Sequence, residues 1–275
     1  KTNLRLILSQ HDSNCTICIR SQNCELQKLS HDLNIHFQPY QVQPERSRVD
    51  LSAPVVREAS KCIKCMRCVQ VCDKIQSMNI WDVSGTGAHT TVDVSYNRAL
   101  KYTDCTYCGQ CVTHCPTGAL TARDDTKWVL RAVADPEITT VVQVAPAVRA
   151  AWAESFGLDS GSGGVGRIVA ALKRIGFDYV FDTTFAADLT IMEESSELLE
   201  RLAHREEHCW PLFTSGCPGW VRFLKSQYPE QVGGLSTAKS PQQMFGAVAK
   251  SYFAERLGKD PSKIFVASIM PCTAK

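Results

Sequence analysis

Eight cysteines form two runs with the same spacing, C-x2-C-x2-C-x3-C. Thiols this close together suit one metal centre better than mutual disulfides. Three thiolates at steps of three wrap one corner of a 4Fe-4S cubane, whereas the fourth, on the following helix, serves the other cubane in two-cluster ferredoxins. Zinc is the alternative metal, but two zinc sites would have no need of a third cysteine at the same short step. We therefore predict one 4Fe-4S cluster on Cys62, Cys65, Cys68 and Cys115 and a second on Cys105, Cys108, Cys111 and Cys72.

A third group lies upstream, where His11 precedes Cys15, Cys18 and Cys24 with the spacing H-x3-C-x2-C-x5-C. An imidazole in place of a thiolate makes a cluster less negative and should raise its reduction potential. A lone histidine is more often a surface or core residue than a ligand. We predict that His11 is the exception, as the fourth ligand of a third 4Fe-4S cluster. We predict that the other histidines are surface or core residues and not ligands: His31, His36, His89, His114, His204 and His208.

The composition limits the class of protein. The chain has 275 residues, 44% hydrophobic and 21% charged, which suits one or two domains with cores and excludes a disordered tail. Thirty basic and 28 acidic residues give a net charge of +2, so we expect no nucleic-acid or anionic-membrane surface. No run of 18 apolar residues occurs, so no membrane span is expected. A secreted disulfide scaffold is the alternative for 14 cysteines, but such scaffolds are usually short. A reducing, cytoplasmic location is predicted.

The elements that must position these residues differ between the two halves of the chain. Between the quartets, residues 80–83 and 91–94 alternate around a glycine-containing turn and predict a β-hairpin. After Trp128, strands at 139–144, 179–181 and 264–268 alternate with helices at 167–175, 191–203 and 220–225. The predicted fold is α+β. A one-histidine three-cysteine module (1–50) and a two-cluster ferredoxin-like domain (51–128) precede an α/β lobe with a mostly parallel sheet (129–275).

A glycine pattern in the second half of the chain is typical of nucleotide-binding sites. Residues 161–166 match G-x-G-x-x-G, and Asp182 follows about twenty residues later. A dinucleotide fold needs these glycines directly after the first strand, whereas residues 145–160 intervene here. We predict a loop that starts a helix.

Two further cysteines lie where an α/β lobe usually places its site, beyond the carboxyl ends of strands. Cys217 lies in the segment TSGCPGW (214–220) and Cys272 in MPCTAK (270–275). Two buried structural thiols are the alternative. However, the two segments resemble the first active-site signature of FeFe hydrogenases and the start of the second. The segments VAPAVR (144–149) and IMEESSEL (191–198) also resemble that family, and the spacing around His11 resembles a module shared by FeFe hydrogenases, complex I and some formate dehydrogenases.

Taken in order from His11 to Lys275, the chain resembles the iron-sulfur modules and first active-site lobe of a clostridial-type FeFe hydrogenase. The resemblance implies an H-cluster, in which a 4Fe-4S cubane is bridged to a diiron unit that carries CO, cyanide and a dithiolate, and at which H2 is split or formed. It implies that Cys217 and Cys272 are two of the four cubane ligands. Lys275 would donate a hydrogen bond to a cyanide, as suits a three-donor ammonium. The implied lining of the diiron pocket is Pro146, Ala147, Gln242, Met270 and Lys275.

The family also moves protons through a relay of carboxylates, a serine and a cysteine. Glu194 and Glu197 lie three residues apart on one helix face and Arg201 follows four residues after Glu197, a spacing that permits a chain of donors and acceptors. The resemblance assigns this relay to Glu194, Glu197, Arg201 and Ser236. The alternative interpretation is that these acidic residues form a solvated helix face. We prefer this interpretation for Glu193.

One residue departs from the family pattern. Gly216 stands where standard members carry a cysteine, directly before the ligand Cys217. Since glycine has no side chain to pass a proton, we expect slow turnover unless a water fills the gap. Atypical residues at this place occur in sensory relatives, so H2 sensing is an alternative function.

The family supplies its other two cubane cysteines from a later segment. We expect the sequence to be part of a longer chain that contains this segment and a 2Fe-2S domain ahead of Lys1. A second polypeptide that completes the pocket, or an empty pocket, are the alternatives.

The partners expected of a hydrogenase are H2, protons and a redox protein. The redox protein could be ferredoxin, a flavoprotein subunit that uses NAD(P)H, or a formate dehydrogenase module, and the chain would then belong to a hetero-oligomer. The competing function is an electron-transferring iron-sulfur subunit, which would have no use for Cys217 or Cys272.

Overall fold

The computed structural model describes residues 1–40 and 49–275. The chain divides into two compact units, Lys1–Arg123 and Asp124–Thr273. No helix among the described residues is both long enough and apolar enough to cross a membrane.

The first unit contains short elements separated by long cysteine-bearing loops. In chain order they are α1 (Thr2–Ser9), α2 (Glu25–Asp32), β1 (Val55–Arg57), α3 (Arg67–Gln70), β2 (Trp81–Ser84), β3 (Thr91–Val94), α4 (Gln110–His114) and β4 (Leu120–Ala122). Strands β1 and β4 pair antiparallel, with Val55 opposite Ala122. Strands β2 and β3 form the predicted hairpin, with Trp81 opposite Val94. Trp81 and Val94 are each about 5% exposed, so the hairpin covers the core of this unit with apolar side chains.

The second unit is an α/β lobe around a three-stranded parallel sheet. Its elements are α5 (Thr126–Ala134), β5 (Thr139–Val144), α6 (Pro146–Ser155), α7 (Val165–Ile175), β6 (Tyr179–Asp182), α8 (Thr184–Ala203), α9 (Pro218–Gln227), α10 (Pro241–Lys250), α11 (Tyr252–Leu257) and β7 (Ile264–Ile269). The strand order is β6-β5-β7, and both pairings are parallel. The mixed helix and strand architecture and the parallel sheet of this half are therefore as predicted.

Strand β5 is buried along its whole length and consists of β-branched residues except for Gln143, as suits a strand with both faces covered. Val141 packs with Phe245 and Ile264 on one face of the sheet, whereas Val142 packs with Ile168 on the other. Because successive side chains of a strand point to opposite faces, one strand supplies both cores.

All three predicted helices begin earlier than expected, α7 by two residues, at Val165. Helix α8 begins at Thr184, seven residues before the predicted start at 191, after a turn in which the Asp182 carboxylate accepts the backbone N–H of Thr184 at 2.9 Å. Helix α9 begins at Pro218, where proline needs no hydrogen-bond partner for its nitrogen. The glycine run precedes α7 as predicted, with α6 between it and β5, so the arrangement required for dinucleotide binding is missing here.

Candidate metal centres and active-site lobe

Two cavities in the first unit are each lined by four thiols. One is lined by Cys62, Cys65, Cys68 and Cys115 together with apolar side chains. The other is lined by Cys72, Cys105, Cys108 and Cys111. Each cavity thus combines three cysteines of one run with the fourth cysteine of the other run, which is the crossed arrangement expected for two cubanes. Among residues 1–40 and 49–275, no three His, Cys, Asp or Glu side chains converge closely enough to hold a single metal ion.

The two cysteine loops share one backbone conformation. Lys64 and Met66 have left-handed φ angles of 58° and 61°, and Tyr107 and Gly109, at the equivalent positions of the second run, have φ angles of 56° and 76°. Left-handed residues reverse the direction of the chain within a few residues, so each loop curls around its cavity before α3 or α4 begins. Three of these four positions carry side chains in a conformation that favours glycine, a strain that occurs where the surrounding structure requires it.

The environment of the thiols suits an iron core. Backbone N–H groups of Lys64, Ile80 and Tyr107 each donate to a cysteine sulfur at 3.4 Å, on Cys62, Cys72 and Cys105 respectively. Burial, together with the charges of neighbouring thiolates, raises the pKa of Cys68 and of Cys111 to about 12. Deprotonating such crowded thiols is costly without a cation, and an iron-sulfur core supplies one. The residues present therefore fit the two clusters, and iron binding itself stays a prediction.

The N-terminal group is brought together in part, since Cys18 does not line the cavity that its three partners share. His11, Cys15 and Cys24 line one cavity, and burial followed by the charge of Cys18 raises the pKa of Cys15. Burial lowers the pKa of His11, with Asp12 and the backbone of Lys61 acting in the opposite direction, so the neutral imidazole that binds metals is favoured. The Nδ1 atom of His11 is buried and has no hydrogen-bond partner among the described residues. A buried polar atom without a partner is rare in proteins and fits a metal ligand.

The second unit places four of the other predicted residues at or beyond the carboxyl ends of two neighbouring strands. Pro146 and Ala147 begin α6 directly after β5, and Met270 follows β7 directly. Strands β5 and β7 are adjacent, with Val144 opposite Ile269, so these residues share one edge of the sheet. Cys272 is half-buried beyond this edge.

Three predicted residues lie on other segments of this unit. Cys217 is exposed and immediately precedes the first residue of α9, Gln242 lies in the first turn of α10, and Lys275 is exposed. The backbone carbonyl of Gln242 accepts a hydrogen bond from a side chain of strand β5.

That side chain is Gln143, which no sequence motif identifies. It is fully buried at the centre of the sheet. Its amide nitrogen donates to the Gln242 carbonyl at 3.1 Å and to the Ser268 hydroxyl at 2.8 Å, and its amide oxygen accepts the Thr183 hydroxyl at 3.1 Å. Gln143 therefore holds α10, β7 and the β6–α8 connection to one strand. A single amide within a doubly buried strand was the available signal, because a buried polar group must find partners.

The predicted proton relay contains a buried ion pair. Arg201 donates to Glu197 from Nε at 3.0 Å and from Nη2 at 2.6 Å, and the side chains are 7% and 14% exposed. Ser236 Oγ donates to the other carboxylate oxygen of Glu197 at 2.6 Å, and the Thr237 backbone N–H donates at 3.1 Å. Burial alone raises the pKa of Glu197, but the hydrogen bonds from Ser236, Arg201 and Thr237 outweigh it, so the pKa lies below its usual range. The structure thus brings three of the four relay residues together.

The fourth relay residue, Glu194, lies beside the loop that carries Cys217. The backbone N–H of Ser215 is 3.5 Å from Glu194 Oε1, and Ser215 is bonded to Gly216. A Cβ atom on Gly216 would meet only Pro241 Cδ, at 3.9 Å, so the position has room for a side chain. Glu193 is exposed on the same helix, in keeping with its predicted solvated role.

Comparison with known proteins gives matches along the chain. Residues 138–275 match the family described as iron only hydrogenase large subunit, C-terminal domain. Residues 1–39 match the NADH-ubiquinone oxidoreductase-G iron-sulfur binding region, and residues 61–119 match the 4Fe-4S dicluster domain.

Individual relatives agree with these matches. The chain is 46% identical to the NADP-reducing hydrogenase subunit HndD of Solidesulfovibrio fructosivorans and 36% identical to iron hydrogenase 1 of Clostridium pasteurianum. Both alignments cover 100% of this chain and 48% of the relative, so the chain spans about half the length of the curated relatives it matches. The structure of apo FeFe-hydrogenase HydA1 from Chlamydomonas reinhardtii matches with a TM-score of 0.51 and 48% identity, covering 54% of this chain and 38% of that one.

Proposed function

The chain belongs to the family of iron-only hydrogenase large subunits, and from this premise we propose that it exchanges electrons through three 4Fe-4S clusters with an H-cluster that splits or forms H2. One observation carries the proposal. Glu194 on helix α8 contacts the loop that leads to Cys217. Glu197, on the same helix, accepts a hydrogen bond from Ser236 and forms an ion pair with Arg201. A subunit that only carries electrons needs no chain of proton-exchanging groups beside a cysteine.

The clusters would be held by the three groups of thiols in the first unit. His11, Cys15, Cys18 and Cys24 would hold the N-terminal cluster, and the buried Nδ1 atom of His11 supports this assignment. The two four-thiol cavities would hold the other two clusters, as their lining supports. We assign these groups to domains 1–50 and 51–128, and the hydrogenase lobe to 129–275.

The H-cluster would supply the iron atoms at which the H–H bond is broken or made. Cys217 and Cys272 would hold two corners of its cubane. The residues at the carboxyl edge of the sheet, Pro146, Ala147 and Met270, would close the pocket around the diiron unit together with Gln242. Lys275, whose ammonium has three donors and a positive charge, would face an anionic cyanide ligand.

Protons would enter and leave along helix α8. Arg201 holds Glu197 as a carboxylate that can accept a proton, and the Ser236 hydroxyl at 2.6 Å can take part in its transfer. Glu194 lies next along the path, beside Ser215. Gly216 offers no side chain that could carry a proton at the position next to Cys217, so we propose that turnover is slow. This gap favours H2 sensing as the second candidate function.

The likeness to a subunit of an NADP-reducing hydrogenase supports one kind of partner. We propose that the chain works in a cytoplasmic hetero-oligomer with a flavoprotein subunit that uses NADP(H). Ferredoxin and a formate dehydrogenase module remain alternatives.

The test is H2 evolution by the anaerobically matured protein with a reduced viologen dye as electron donor. We expect measurable H2 that Cys217→Ser abolishes while the upstream clusters keep their iron. The matched control is Cys209→Ser, which changes an exposed cysteine outside the assigned ligand sets and should leave the rate unchanged. Loss of H2 in both variants, or none from the unaltered protein with all upstream clusters filled, would contradict the catalytic proposal.

A further inference from the structure

Arg20 joins two of the cysteine groups. Its Nη2 atom donates to the carbonyl oxygen of Cys115 at 2.9 Å, across 95 positions of sequence. Cys115 is buried, 8% exposed, and lines the cavity of Cys62, Cys65 and Cys68. Arg20 itself lies two residues after Cys18, in the N-terminal group. One guanidinium therefore contacts the backbone of a cysteine from one site while its own loop belongs to the other.

A glycine makes this contact possible. The stem of Arg20 lies against Gly118, where a Cβ atom would be only 2.9 Å from Arg20 Cγ. Gly118 also has a φ of 72°, in the left-handed region that favours glycine. The absence of a side chain at Gly118 therefore leaves room for the stem of Arg20 on its way to the Cys115 carbonyl.

The two groups are tied together at other points as well. Asp12 donates its backbone N–H to the Ser60 carbonyl at 2.8 Å, and Lys64 donates to the Gln10 side chain at 2.6 Å. Arg20, Cys24 and Cys115 line one shared groove. These contacts also hold the two groups together. The packing of the two groups therefore does not depend on Arg20 alone, and the charge of Arg20 can act on the cluster without being needed for that packing.

We infer that Arg20 is a positioning residue whose charge, held at the Cys115 carbonyl, raises the reduction potential of the cluster on Cys62, Cys65, Cys68 and Cys115; this rests on the proposed function. A guanidinium stays protonated and donates in a fixed, planar geometry. A positive charge and a hydrogen bond next to a ligand both favour the reduced, more negative state of a cluster. Arg20 would thereby make this cluster a better electron acceptor from its N-terminal neighbour.

The test is a redox titration of the reconstituted full protein, followed by electron paramagnetic resonance. The signal of the cluster in question is the one that Cys62→Ser alters. Arg20→Gln keeps a donor and removes the charge, and we expect it to lower the midpoint potential of that signal by about 59 mV, which is a tenfold change in a one-electron equilibrium. Arg20→Lys keeps the charge and should stay close to the unaltered protein.

Lys28→Gln is the matched control, because Lys28 is an exposed cation on the same groove. It should leave the potential unchanged. An unchanged potential in Arg20→Gln would overturn the inference, as would an equal fall in Arg20→Lys or in Lys28→Gln. These results leave the proposed function intact, since all three clusters are filled in each case. A chain that binds no iron would overturn the proposed function and the inference together.

Discussion

Replacing Gly216 by cysteine tests whether the missing proton donor limits the rate. The structure has space for the change, because a Cβ atom at this position would lie 3.9 Å from Pro241 Cδ, an ordinary van der Waals distance. The φ angle of Gly216 is not among the positive values, so an L-residue fits the backbone. We therefore expect Gly216→Cys to leave stability unchanged or to raise it by about 0.4–1 kcal/mol through the unfolded state.

The expected gain in rate follows from the position of the new thiol. Glu194 Oε1 is 3.5 Å from the Ser215 nitrogen, one residue away, so a thiol at 216 would extend the relay from Glu194 toward Cys217. A positioned general acid or base contributes about 10²- to 10⁴-fold in rate. We expect a gain near the lower limit, about 100-fold, or about 2.7 kcal/mol of activation free energy.

The assay is H2 evolution at saturating reduced viologen by protein matured with the diiron cofactor. Gly216→Ala is the control, because it adds the same Cβ atom without a proton-carrying group. We expect the cysteine variant to be fast and the alanine variant to match the unaltered protein. Equal rates in all three proteins, at equal cofactor content, would refute the assignment of Gly216 as the break in the relay.

Other parts of the account can be tested by single substitutions. Glu197→Gln leaves the charge of buried Arg201 unpaired, at a cost of about 3–5 kcal/mol, so calorimetry should show a lower melting temperature; the exposed Glu193→Gln should not change it. Cys115→Ala should remove about four iron atoms per chain and the cluster shared with Cys62, Cys65 and Cys68; loss of the other cluster instead would contradict the crossed arrangement. Gln143→Leu leaves buried partners unsatisfied at about 1–3 kcal/mol, so amide exchange in β5 should accelerate.

Features that depend on neighbouring residues were predictable from the sequence. The short steps within each cysteine run limit how three thiols can be placed, and the crossed pairing of Cys72 and Cys115 follows from the same spacing. The β-branched residues of segment 139–144 predict β5, because such residues favour strands.

Features that depend on distant residues were not predictable. Nothing in the local pattern around Gln143 indicates that Gln242 and Ser268, 99 and 125 positions away, would satisfy its amide. The contact of Arg20 with Cys115 is of the same kind. The early start of α8 depends on a local turn at Asp182, which the apolar pattern around residue 191 does not indicate.

The measurement that tests the central claim most directly is an anaerobic infrared spectrum of the matured protein, in the region of CO and cyanide stretching bands. If the lobe of Cys217 and Cys272 holds an H-cluster, the spectrum will show both kinds of band, and Cys217→Ser will remove them. A spectrum without these bands, from protein whose upstream clusters are complete by iron count, would contradict the claim that this lobe is a hydrogenase active site.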